Sequence, residues 1–176
     1  MKKLILVVAI AAFFLSACNN KSETTAKTGD STATILTRNK QAALNANTAF
    51  TKGDIDGSVK DYASDFVEYG SGESKPQKNL DSIKISTKSF LKAFPDFKGE
   101  DMHAVAEGDS VIITAKWSGT FKSDYMKMKA NNKSFKVNDV DIFTFNKDGK
   151  ITSHSSIQGV ATFLNALDLP MMPKKK

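Results

Sequence analysis

Hydrophobic residues recur at intervals of three and four along the first half of the chain and at intervals of two along the second. Ile35, Ala42, Ala43, Ala46, Ala49 and Phe50 fall on one side of a helix, which "TKGD" closes at Gly53. Ile55, Val59 and Tyr62 follow at i, i+4 and i+7 and predict a second, short helix. "SDFVEYG" reads as a short strand. Ile83, Thr87, Phe90, Leu91 and Phe94 predict a third helix, begun at Asp81 and ended by Pro95.

After Pro95 the period becomes two. "MHAVAEGDSVIITAKWSGTF" is a pair of strands around the turn signal Glu107-Gly108-Asp109. Val111, Ile113, Ala115, Trp117 and Phe121 share one face of the second strand, with Lys116, Ser118 and Thr120 on the other. "SDYMKMKANNKS" is a polar, basic connection. "FKVNDVDIFTFNKDGKITSHSSIQGV" gives two more strands, and "ATFLNALDL" a closing helical turn. Helical segments followed by an antiparallel meander predict the α+β class, with helices packed on one face of the sheet.

The last hairpin carries the candidate chemistry. A two-residue Asp148-Gly149 turn pairs Lys147 with Lys150 and sets Phe143 opposite His154. One face then holds Asp141, Phe143, Phe145, Thr152, His154, Ser156 and Gln158. Val140, Ile142, Thr144, Ile151, Ser153, Ser155 and Ile157 fall on the other. Asp141 and His154 stand one diagonal step apart, within hydrogen-bond reach of each other or of one ligand. A carboxylate beside the imidazole raises its pKa, and burial alone lowers it. On β-strand alternation either Glu68 or Tyr69 faces inward, and the pattern does not choose between them.

The N-terminus sets the expected address. "MKK" is a positive region, "LILVVAIAAFFL" an apolar one, and "LSAC" ends at Cys18, the single cysteine of 176 residues. The apolar run is shorter than the ~18–20 residues a membrane span needs. Leu15-Ser16-Ala17-Cys18 resembles the lipobox of bacterial lipoproteins, which implies cleavage before Cys18 and a lipid on its sulfur. Asn19 is not the aspartate of an inner-membrane retention signal, so the resemblance implies outer-membrane attachment in a bacterial cell envelope. The expected organisation is a signal peptide over 1–17, a flexible tether over 18–33, a domain over 34–170 and a basic tail over 171–176. The formal charge of +6 falls to +1 without Lys2, Lys3, Lys174, Lys175 and Lys176, so no nucleic-acid partner is expected. His103 has no cysteine or second histidine nearby, and neither phosphate loop nor zinc spacing is present. No metal or cofactor is expected.

Five stretches, in their order and spacing, resemble the nuclear transport factor two-like superfamily, and within it the SnoaL-like polyketide cyclases and ketosteroid isomerases. They are "GDIDGSVKDYASDF" at 53–66, "AFPDF" at 93–97, "AEGDSVIITAKWSGTF" at 106–121, "FNKDGKI" at 145–151 and "FLNALDLP" at 163–170. The resemblance implies a cone: a curved antiparallel sheet packed on three N-terminal helices, with an apolar pocket at the wide end. It also implies a small-molecule ligand, and homodimers are common among such proteins. "VDIFTFNKDGKI" is similar to an isomerase stretch whose aspartate, matching Asp141, donates a hydrogen bond in an oxyanion hole. The resemblance therefore turns the face bearing Asp141 and His154 inward, with Ser156 and Gln158 beside them. Phe90, Phe94, Trp117, Phe121 and Phe143 are the expected apolar wall.

Other family positions are vacated. The isomerase tyrosine falls on Ala46 and its general base near Gly70. The cyclase histidine after "GT" is Phe121 here, and the cyclase aspartate falls on or beside Gly159. The expected function is thus a lipid-anchored domain that binds a small, mostly apolar ligand. The alternatives are a proton-transfer enzyme of isomerase or cyclase type using Asp141 and His154, and a protein-interaction or dimerisation module.

Overall fold

The computed structural model describes residues 31–72 and 75–170. The expected signal peptide, the lipidation site Cys18, all but the last residues of the expected tether and the basic tail lie outside the described residues. Helix α1 spans Thr32–Thr51, two residues earlier than the expected domain boundary. Ser31 caps it, accepting from the Thr34 amide at 3.2 Å. Its end is a Schellman turn: Asp54 N–H reaches the Ala49 carbonyl at 3.0 Å and Gly53 N–H the Phe50 carbonyl at 3.0 Å. The left-handed residue this requires is Gly53, at φ +75°. Asp54 then caps the short helix α2, Ile55–Val59. Tyr62 is not part of α2, as its spacing predicted; it opens strand β1, Tyr62–Gly70.

Helix α3 spans Leu80–Ala93. Its cap is Asn79, which accepts from the Ser82 amide at 2.8 Å, and Asp81 sits instead in the first turn, where its charge suits the helix dipole. Strands β2 (Lys98–Glu107), β3 (Ser110–Thr120), β4 (Ser134–Phe145) and β5 (Ile151–Ser156) form the predicted antiparallel meander, and α4 (Val160–Ala166) closes the domain. The sheet order is β1-β5-β4-β3-β2. Strand β1 returns to pair with β5 in parallel, a long-range pairing that local sequence pattern does not reveal. Register shifts in β1, β2 and β5 bend the sheet around the helices. Among the described residues no helix is long and apolar enough to cross a membrane.

Alternation along β3 is as read: Val111, Ile113, Ala115 and Trp117 are buried, while Ile112, Thr114 and Lys116 are exposed. The inner face of β4 is Phe135, Val137, Asp139, Asp141, Phe143 and Phe145. Two clusters build the core. One gathers Ala43, Ala46, Phe66, Ile83, Val111, Ile113, Phe143, Phe145 and Ile151, and the other Ala93, Phe94, Phe97, Ala115, Trp117, Phe121, Phe135, Val137 and Leu167. Asp139 and Asp141 lie between them along β4.

The β4–β5 hairpin differs from its expectation near the turn. Its loop has three residues, Lys147-Asp148-Gly149, with the Asn146 amide donating to the Lys150 carbonyl at 2.9 Å and Gly149 at φ +76°. Phe145 therefore pairs with Ile151 rather than with Thr152. Thr152 is bulged out, and that extra residue restores the register, so Phe143 does stand opposite His154. Ile151, assigned by strict alternation to the outer face, is fully buried in the core.

Candidate functional site

A cavity of about 420 Å³ opens between the two core clusters. Its aromatic wall includes Phe50, Phe90, Phe97, Trp117 and Tyr125, and its polar wall is supplied by β1, β4, β5 and α1.

The polar wall is a chain of bonded side chains. Asp141 is 5% exposed, on the inner face of β4. The Asn47 amide nitrogen, from α1, donates to its Oδ2 at 3.0 Å. His154, on the neighbouring strand, brings Nε2 to 3.3 Å from the other oxygen, Oδ1. On its far side, His154 Nδ1 lies 2.9 Å from both Oε1 and Oε2 of Glu68. Glu68 and His154 are direct partners in the β1–β5 pairing, so the backbone itself sets this contact. Glu68 Oε1 also accepts from the Gly70 amide at 2.8 Å. Phe143 closes over the imidazole with ring centroids 4.6 Å apart.

Each imidazole nitrogen thus faces a carboxylate, and the ring donates from both as an imidazolium. Burial works against that charge, but attraction to Glu68 and the bonds to Asp141 and Glu68 outweigh it. The pKa of His154 rises from 6.5 to about 10. Tyr62, stacked on Phe66 beside this group, has its phenol pKa pushed up, by burial first and then by the charges of Glu68 and Asp141. It stays a neutral hydroxyl.

A second carboxylate faces the cavity two residues earlier on β4. Asp139 is 9% exposed and accepts three bonds. The Val140 amide reaches Oδ1 at 2.6 Å, the Gln158 amide reaches Oδ1 at 2.7 Å, and Ser156 Oγ reaches Oδ2 at 2.7 Å. These bonds hold the end of β5 and the loop beyond it against β4. Gln158 Nε2 is buried with no hydrogen-bond partner among the described residues, leaving a donor at the cavity wall.

Of the residues singled out in the sequence, Asp141, His154, Ser156, Gln158, Phe90, Trp117 and Phe143 all line this cavity. Phe94 and Phe121 do not, contrary to the expected wall. Both are 0% exposed and stack on each other in the core, with centroids 5.3 Å apart. Phe94 caps the end of α3 and Phe121 follows the end of β3, so both turn beneath the aromatic wall rather than into it. Glu68 is the inward member of its pair, and Tyr69 is 45% exposed. Asn47, Tyr62 and Asp139 were not anticipated. A signal for two of them existed: Asn47 interrupts the apolar face of Ala43, Ala46 and Phe50, and Asp139 shares the alternation of Asp141.

The sequence matches the model of the SnoaL-like polyketide cyclases over residues 40–167. The chain belongs to this family. Among solved structures, this SnoaL-like chain resembles three in particular. A Jannaschia protein provisionally assigned as a SnoaL-like polyketide cyclase superposes with a TM-score of 0.71 at 17% identity, covering 81% of this chain and 100% of its own. A Xanthomonas campestris protein provisionally assigned as a polyketide cyclase gives 0.69 at 15% identity, covering 76% and 98%. AclR of Streptomyces galilaeus, provisionally a hydroxylase, gives 0.65 at 26% identity, covering 77% and 99%. No curated protein matches the sequence. The fold is therefore that of a ligand-binding cyclase or isomerase-type cone.

Proposed function

We propose that this SnoaL-like domain binds a small, mostly apolar molecule in its cavity without transferring protons to it. The observation that carries this reading is the Glu68–His154–Asp141 chain. A general base needs a free lone pair, and a general acid needs a pKa near the working pH. His154 has both nitrogens bonded to carboxylates and a pKa near 10. Asp141 accepts on both oxygens, so it is not placed as the protonated donor that an isomerase oxyanion hole uses. What is left is an aromatic chamber with a rigid polar wall, the usual composition of a small-molecule site. The pattern at Leu15–Cys18 supports presentation of this domain at a bacterial cell envelope, through a lipid on Cys18.

Trp117 is the only tryptophan in the chain and lines the cavity, so its fluorescence reports on occupancy. Titration of the purified chain with a panel of apolar bicyclic alcohols, ketones and amines is expected to change that emission saturably for at least one member. A panel that leaves the emission unchanged and shows no heat of binding contradicts the proposal.

One observation favours a second, compatible role in self-association. Val105 pairs with Ile112, and Ile112 with Ile142, so an apolar row crosses the outer face of β2, β3 and β4. Val105 is 67% exposed and Ile112 42% exposed. Such a row fits a homodimer formed through the outer sheet face.

A further inference from the structure

The cavity carries a charge opposite to that of the chain. The formal charge of the protein is +6, yet the charged residues lining the cavity are Glu68, Asp139, Asp141 and His154, with no Lys or Arg among the described residues there. One imidazolium against three carboxylates leaves two formal negative charges on one wall. All three side chains accept bonds from protein donors.

From this we infer that the ligand is an amphipathic cation, an apolar body bearing an ammonium group; the inference rests on the binding role proposed above. Asp139 is the carboxylate best placed to meet it. Glu68 and Asp141 both bond His154, whose positive charge offsets theirs, whereas the partners of Asp139 are the neutral Val140 and Gln158 backbone amides and the Ser156 hydroxyl. Asp139 lines the cavity, and its Oδ2 takes one bond, from Ser156, which leaves acceptor capacity on that oxygen. Asp139 and Asp141 are two residues apart on one strand face, which separates them by roughly 7 Å. An ammonium against Asp139 therefore feels both charges. The aromatic wall completes the fit, since Phe90, Trp117 and Tyr125 line the same cavity and give an apolar body its contacts beside these charges. An anionic head would meet repulsion from the net negative charge of this wall.

Three probes of one shape and different heads test this: 1-adamantanemethylamine, 1-adamantanemethanol and 1-adamantanecarboxylate. Each is titrated into the purified full chain at neutral pH, with Trp117 emission and calorimetry as readouts. The amine is expected to bind about tenfold or more tighter than the alcohol, with the carboxylate weakest, as a charge-assisted bond implies. Asp139→Asn, which keeps the shape and leaves the His154 bonds untouched, is expected to bring amine and alcohol to about equal affinity. The ranking in the unmodified chain is decisive even if that variant folds poorly. Alcohol binding as tightly as amine, or carboxylate binding tightest, overturns the charge inference and leaves the binding role standing. Binding of none of the three overturns both.

Discussion

Glu68 and His154 stand side by side on the parallel pair β1–β5, and both carboxylate oxygens of Glu68 lie 2.9 Å from His154 Nδ1. This contact ties the only parallel strand of the described sheet to the meander. It also fixes the protonation of the histidine that would otherwise be the natural proton carrier of the cavity.

The contact gives a pH dependence with a definite sign. The folded-state pKa of His154, about 10, lies above the ordinary 6.5. The histidine therefore contributes its full stabilisation below about 6.5, and that contribution is lost as pH rises through 10. Nitrogen-15 shifts of the imidazole should show both nitrogens protonated at pH 7, and the melting temperature should fall between pH 7 and pH 10. Glu68→Gln should move the titration downward and flatten that part of the stability curve. A wild-type His154 titrating near 6.5 would show that the clamp does not exist in solution.

Removal of the shared acceptor should be costly. Asp141→Ala leaves the Asn47 amide and His154 Nε2 facing a hole, and a loss of about 2–4 kcal/mol in urea unfolding is expected. Asp141→Asn keeps the volume and one acceptor, and should lose roughly half as much or less. Equal stability of Asp141→Ala and wild type would mean that the bonded chain adds nothing to the fold.

The outer apolar row predicts an assembly. Light scattering on the purified chain should give the mass of a dimer, and Ile112→Lys, which puts a charge at the centre of the row, should give a monomer with an unchanged fold. A wild-type monomer at all accessible concentrations removes the dimer from the account.

Anchoring is tested by Cys18→Ser, which removes the only thiol. Fractionated cells should show the wild-type chain in membranes, and the variant soluble or unprocessed. A variant that is lipid-labelled and fully membrane-bound contradicts the lipoprotein reading.

Much of this site was legible in the sequence because β-strand alternation is strict and local. Alternation put Asp141 on one face with Phe143, and pairing across the hairpin put His154 opposite Phe143, while the family resemblance chose that face as the inward one. That second success depended on two features that cancel. The turn at Lys147-Asp148-Gly149 is one residue longer than its Asp-Gly signal implies, and the bulge at Thr152 compensates. Ile151, between the two, was assigned to the wrong face. The choice between Glu68 and Tyr69 stayed open because the partner of Glu68 lies 86 positions away in a parallel pairing, and no local period encodes such a contact. Asn47 escaped because a polar residue on an Ala-rich helix reads as surface until its partner across the cavity is known. Phe94 and Phe121 were misplaced because hydrophobicity marks burial without saying whether a ring lines a void or fills one.

The central claim is that the cavity binds without proton transfer, and one measurement addresses it directly. 2-Decalone, an apolar bicyclic ketone with exchangeable protons beside its carbonyl, is held with the purified chain in deuterated buffer at neutral pH. Trp117 emission reports binding while proton NMR follows deuterium entering the ketone. The account predicts saturable binding with exchange no faster than in buffer alone, because His154 is already protonated on both nitrogens. Exchange that the chain accelerates, and that Asp141→Asn abolishes, would contradict the account and make the site an enzyme.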